Sequence, residues 1–239
     1  MSRIVALNAA RHHAVCIDVM AGAAARQFVQ IGVSEIALAA ADAPLFLIKD
    51  SHTGRFNLIA LLGLTEPRNL FWYAGGMQAT YLPRAASLTA FRLDRDGVAG
   101  VALDEADPGL GPQGEALFAP DQSPTPFIET TRVALESVIS DVAAAQVLVD
   151  HYADHRLIRP LSLLLRYDDD HEHAVTGLYG IDEDALASLD DVTVVAMHRA
   201  DRLAPAAVIA ASHAQVERLR QLHNAAASRR ITAFTLALA

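Results

Sequence analysis

The pattern of apolar and polar positions changes character midway along the chain. In APLFLIKDSHTGRFNLIALLGL two apolar runs flank the polar segment KDSHTGRF, where Asp50, Ser51 and Gly54 supply turn chemistry, which predicts a β-hairpin. NLFWYAGGMQATYLP continues in the same style, with a second turn at Gly75 and Gly76. LTAFRLDRDGVAGVALD gives a third hairpin signal through Asp96 and Gly97. The stretch DEADPGLGPQGEALFAPDQSPTPF is rich in Pro, Gly and acidic residues and reads as a loop. After it the period lengthens: Ile128, Leu135, Val138, Ile139, Val142 and Val149 recur at helical spacing, with Thr125 as the N-cap and Pro126 at the first helical position. LSLLLRY and HAVTGLYGI then read as two strands, Asp182 as the cap of a short helix over Glu183 to Leu189, and two further helices are expected over about Val192–Leu203 and Pro205–Ala227. The fold expected is α+β, with a strand-rich N-terminal half built of antiparallel hairpins and a mostly helical C-terminal half carrying one further hairpin. A single domain over 1–239 is expected, β-rich over about 25–105, with a Pro/Gly-rich junction at about 106–125 and a helical part over about 126–227.

Composition narrows the function classes. A hydrophobic fraction of 52% against 20% charged residues belongs to a folded chain able to bury a core. The net charge of −9 makes nucleic-acid backbone and anionic membrane surfaces poor partners. Cys16 is the only cysteine, which excludes an intramolecular disulfide and a Cys-based zinc site. The opening MSRIVALNAARHH has no sustained apolar core, and the apolar runs, including the terminal ITAFTLALA, are too short to span a bilayer. A cytoplasmic protein is expected. The terminal run itself either adds a strand, mediates an oligomer contact, or frays.

Residues suited to chemistry are concentrated in a few places. RYDDDHEHAVTGLYG offers six consecutive side chains able to ligate a metal, Asp168 to His173, but on a turn between two strands they cannot all converge on one ion. His171 and His173 remain metal candidates there. DHYADH places His151 and His155 four apart, a zinc-compatible spacing, although the metalloprotease pattern needs Glu where Tyr152 stands. GLGPQG satisfies the spacing of a dinucleotide loop, yet acidic DEADP precedes it and two prolines follow, so it is rejected as a cofactor site. Cys16 has His12 and His13 nearby but no oriented third group, and no G-x-S-x-G elbow is present. No catalytic residue and no cofactor is assigned.

The aromatics are more telling. Phe71, Trp72, Tyr73 and Tyr81 cluster around the Gly-Gly turn, and strand alternation sends Trp72 to the face opposite Phe71 and Tyr73. Either all pack between sheet and helices, or some are presented to a partner. The segments IALLGLTEPRNLFWYAGGMQATYLPRAASLTAFRL, EALFAPDQSPTPFIE and GLYGIDEDALASLDDVTVVAMHRADRLAPAAVIAASHAQVERLRQL, taken in this order, resemble the SapC family of bacterial proteins. That resemblance implies an association with surface-layer systems, with halogenase-like or cupin-like enzymes encoded nearby. It brings no catalytic residue set. The function expected is therefore a non-catalytic accessory or binding protein recognising a protein or peptide partner, with such an enzyme or its substrate as the partner the resemblance implies, through Phe71, Trp72, Tyr73, Tyr81 and Pro83. A metal-dependent enzyme using His151 and His155 and a structural surface-layer component are the alternatives.

Overall fold

The computed structural model describes residues 2–73 and 75–239. The fold is α+β, and its contacts fall into two compact units: Met1–Arg26 with Pro83–Ser140, and Gln27–Leu82 with Asp141–Ala239. Each unit therefore draws on both halves of the sequence.

In the first unit, Val101–Asp104 is the central strand of an antiparallel sheet, flanked by Ile4–Ala6 and Phe91–Leu93. A second small sheet sets Cys16–Ile17 between Leu110–Gly111 and Glu115–Ala116. The N-terminal segment, which carries no strong pattern, is thus ordered by pairing with residues about a hundred positions away. Its core includes Leu7, Phe91, Leu103, Leu117 and Ile128, all essentially inaccessible to solvent. Asp104 ties down the chain start, accepting from Ser2 Oγ at 2.6 Å and Arg3 N at 2.7 Å. Burial alone would raise its carboxyl, but the hydrogen bonds from Ser2, Arg3 and Ala106 outweigh it and hold the pKa below the ordinary value.

The second unit is organised on one six-stranded sheet, ordered Ile231–Leu238, Ile158–Tyr167, Glu172–Ile181, Leu45–Lys49, Phe56–Leu61, Phe28–Gln30, with every neighbouring pair antiparallel. The N-terminal hairpin Leu45–Leu61 and the C-terminal hairpin Ile158–Ile181 meet through Leu178 opposite Ile48 and Tyr179 opposite Leu47. The terminal apolar run forms the outermost strand on the C-terminal side. Asn224 fixes its start by bonding both the N–H and the C=O of Ile231.

The helix Pro126–Asp154 runs 29 residues, and Ile128, Leu135, Val138, Ala145, Val149 and Tyr152 are buried along it at helical spacing. Ile139 departs from the expected apolar stripe and stands half exposed. At its start the Thr125 hydroxyl donates to the Ala116 carbonyl at 2.8 Å.

The helix expected over Pro205–Ala227 is divided into Leu203–Ser212, a short 3₁₀ turn His213–Gln215, and Val216–Ala226. The cause is tertiary. Beyond the paired Leu47 and Ile48, the backbone of Leu45 is satisfied by side chains: Ser212 Oγ accepts from its N–H at 2.9 Å, and His213 Nε2 donates to its C=O at 3.0 Å. Ser212 also donates to Ile209 O at 2.6 Å, a back-bond that competes with regular helix. The His213 ring stacks on Phe46 at 4.6 Å between centroids. Against it sits Gly180, where a Cβ would lie 2.8 Å from His213 Cε1 and 2.5 Å from Leu161 Cδ1. The glycine is there to admit the ring.

Burial depresses His213 to about 4 from its ordinary 6.5. The unfolded chain therefore binds a proton that the folded chain refuses, so stability is complete above about pH 6.5 and is lost as pH falls toward 4. We expect this residue to remove about 3 kcal/mol of stability across that window. Urea unfolding at pH 7 and pH 4.5 checks it: His213→Gln, which keeps a donor for Leu45 but does not titrate, should flatten the loss. Equal acid sensitivity in the variant would assign the effect elsewhere.

Candidate functional site

The aromatic segment is held in place by two buried carboxylates. Glu35, 1% exposed, accepts from Gly32 N at 3.1 Å through Oε2 and from the Tyr81 hydroxyl at 2.7 Å through Oε1. Asp42, 6% exposed, accepts through a single oxygen from Thr80 N at 2.8 Å, Thr80 Oγ1 at 2.5 Å and Tyr81 N at 3.0 Å. Arg218 reaches the same place, with Nη2 donating to Gln78 O at 2.6 Å and lying 3.8 Å from the other Asp42 oxygen. Its guanidinium sits 5.9 Å from the centre of the Phe71 ring.

These bonds decide what each aromatic does. Phe71 is buried, 1% exposed, with its N–H capped by the Asn69 side chain at 3.0 Å. Tyr81 is partly covered, and its hydroxyl is engaged by Glu35. Pro83 is buried in the other compact unit. Trp72 and Tyr73 form a two-residue strand paired with Gly76–Met77, Trp72 opposite Met77. Trp72 is partly exposed and Tyr73 is 37% exposed, its hydroxyl donating to Ala225 O at 3.1 Å. Of the five expected partner residues, Tyr73 is exposed, Trp72 and Tyr81 are partly exposed, and Phe71 and Pro83 are buried.

The histidine candidates fall in two separate places. His151 and His155 lie on consecutive turns with ring centroids 4.1 Å apart. Arg202 Nη1 approaches His151 Nδ1 at 2.9 Å, and His155 Nδ1 is 2.9 Å from His151 O. Burial, with His155 and Arg202 beside it, holds the His151 pKa below its ordinary value. The guanidinium occupies Nδ1 of His151, while Nε2 of the same ring is buried without a hydrogen-bond partner among the described residues. His171 and His173 are at the end of the Ile158–Ile181 hairpin, where Asp168 to Asp170 form the turn and Asp170 adopts φ 61°. Asp169 is not free there: it accepts from His171 N at 3.1 Å and pairs with Arg229 at 2.7 Å. Among the described residues no group of three or more His, Cys, Asp or Glu side chains is placed to hold a metal ion.

Two of the three glycines of GLGPQG have a structural explanation. A Cβ at Gly109 would collide with the Asp18 carbonyl, and one at Gly114, which has φ +104°, with the Ile17 carbonyl. They allow close pairing with the strand Cys16–Ile17. Asp107, just before them, is fully buried and paired with Arg26 at 2.7 Å. His12 points away from thiol chemistry: its Nδ1 accepts from Asn8 N at 3.0 Å, so Nε2 carries the proton and donates to Glu105 at 3.1 Å.

Sequence reasoning missed a cleft of about 600 Å³ in the second unit. It is lined from three distant segments, including Arg68, Tyr167, His171, His173, His223 and Arg229. The only signal for it in the sequence was the scatter of Arg and His through an acidic chain.

The chain belongs to the SapC family, whose model matches residues 7–219, nearly its whole length. No curated protein and no solved structure matches it. Among the described residues no helix is long and apolar enough to cross a membrane.

Because Asp42 satisfies three donors, Asp42→Ala should cost about 3 kcal/mol or more, whereas Tyr81→Phe, losing one hydrogen bond, should cost about 1–2 kcal/mol. Guanidinium denaturation midpoints measure both. A smaller loss for Asp42→Ala than for Tyr81→Phe would contradict this hierarchy.

Proposed function

We propose that the chain is a non-catalytic accessory or binding protein of the SapC type, recognising a protein or peptide partner in a surface-layer or peptide-modification pathway. The partner class implied by the family resemblance is a halogenase-like or cupin-like enzyme or its substrate. One observation carries the reading: Tyr73 is exposed and Trp72 partly exposed on a short hairpin whose root, from Phe71 to Tyr81, is anchored in the core. An aromatic pair on a rigid base loses little entropy on binding, which is the character of an interface anchor. The buried polar groups support the same reading, because Glu35, Asp42, Asp104 and Asp107 accept structural hydrogen bonds.

Trp72→Ala should lower capture of the partner from native cells at least about tenfold, the usual weight of a central aromatic anchor. Tyr81→Phe, which alters only the buried hydroxyl, should leave capture intact. Unchanged capture by folded Trp72→Ala would remove the hairpin from the binding surface.

A further inference from the structure

The cleft found in the second unit has a chemistry that the aromatic hairpin lacks. Its volume of about 600 Å³ is that of a site for a small ligand or the end of a chain. Arg68, His171 and His173 supply donors along its walls, with Glu66 as the carboxylate among the lining residues. In a chain of net charge −9, the cleft gathers Arg68, Arg229 and three histidines beside Glu66.

The walls are fixed in place. Arg229 lies over the Tyr167 ring, 4.2 Å from its centre, and is paired with Asp169. His223 packs edge-on against the same ring at 6.2 Å, and its Nε2 lies 3.1 Å from Arg229 O. Opposite them, the loop carrying Arg68 is a tight turn: Arg68 N donates to Glu66 O at 2.7 Å, and Leu70 N returns to Leu62 O at 2.8 Å. The Arg68 carbonyl lies so close to Gly63 that a Cβ there would collide with it. The Arg68 side chain is exposed and engages no carboxylate among the described residues.

A second, smaller hollow of about 60 Å³ adjoins the cleft and shares Thr65, Glu66, Arg68, His223, Ala226 and Ala227 with it, adding Leu64 and Leu70. Leu64 and Leu70 are buried, 1% and 5% exposed, so this pit is floored by hydrocarbon. An anchoring cation thus stands at the rim of an apolar pit, beside a longer groove with imidazole donors.

We propose that this cleft binds a carboxylate carried on a short apolar group, as the C-terminal residue of a peptide. The carboxylate meets Arg68, the small side chain enters the pit against Leu64 and Leu70, and the preceding residues run along the groove past His171 and His173. Charged hydrogen bonds from a guanidinium suit a carboxylate in both geometry and strength. Capture of a terminal carboxylate is a recurring mode of peptide recognition. The proposal rests on the reading of the chain as a peptide-recognising protein and gives that reading a ligand class.

The test uses the full chain and three probes: N-acetyl-Gly-Gly-Ala with a free carboxylate, the same peptide as its C-terminal amide, and inorganic phosphate, each titrated by calorimetry. The acid should bind at least about tenfold more tightly than the amide, and Arg68→Gln, a change at an exposed side chain, should abolish that difference. Equal affinity for acid and amide, or an acid affinity untouched by Arg68→Gln, overturns the proposal. Phosphate binding as tightly as the acid also overturns it, in favour of a general oxyanion site. Any of these failures leaves the effect of Trp72→Ala on partner capture unaffected, so loss of the cleft and loss of the binding function are distinguishable.

Discussion

Two buried carboxylates govern the part of this protein that faces outward. Asp42 and Glu35 sit at opposite ends of the short helix Ile36–Ala40, and between them they accept the backbone and hydroxyl donors of Thr80 and Tyr81. A buried carboxylate is costly unless its oxygens are satisfied, and a buried N–H is costly unless it has an acceptor. Each cancels the other's penalty only in this arrangement, so the segment after the aromatic hairpin has one position. Arg218 closes the same network from the C-terminal helix, bonding Gln78 O and covering Phe71. The orientation of Trp72 and Tyr73 follows from what these groups hold behind them.

The second constraint is the sheet shared by the two halves of the sequence. Both of its central hairpins are locally encoded, since Leu45–Leu61 and Ile158–Ile181 each show apolar runs around a polar turn. Their meeting at Leu178 and Ile48 is not, because nothing in either run specifies a partner some 130 positions away. The same holds for the break in the C-terminal helices. The pattern over Pro205–Ala227 is compatible with one helix, and the 3₁₀ turn appears only because Ser212 and His213 must serve the backbone of Leu45. Local propensity lost there to a backbone hydrogen-bond demand from another strand.

The site was legible to the extent that its residues are contiguous. The aromatic cluster at Phe71 to Tyr81 stood out, and so did the polar tip at Asp168 to His173. Which aromatics remain outside was hidden, because burial of Phe71 and engagement of the Tyr81 hydroxyl depend on Arg218 and Glu35, both distant in sequence. The spacing of His151 and His155 was legible, but the burial that lowers the His151 pKa and the approach of Arg202 to its ring were not. The cleft was invisible for the same reason: Arg68, His171 and His223 come from a loop, a hairpin end and a helix end that share no motif.

The acidic-histidine tip changes meaning once its neighbours are known. Read alone, Asp168 to His173 is a run of metal ligands. In the fold, Asp169 turns to Arg229, and that guanidinium lies on Tyr167, the residue at the end of the strand leading into the tip. The pairing lowers the Asp169 pKa and raises that of Arg229, so both remain charged and the contact survives over the whole physiological range. The carboxylate is thereby committed to holding an arginine in place, not to holding a metal. With Asp169 so occupied, His171 and His173 remain as imidazoles lining the cleft. A wall of donors facing an arginine across an open groove favours an anionic ligand over a cation. The ion pair and the ring contact thus take Asp169 out of the run of six candidate ligands that the sequence presents.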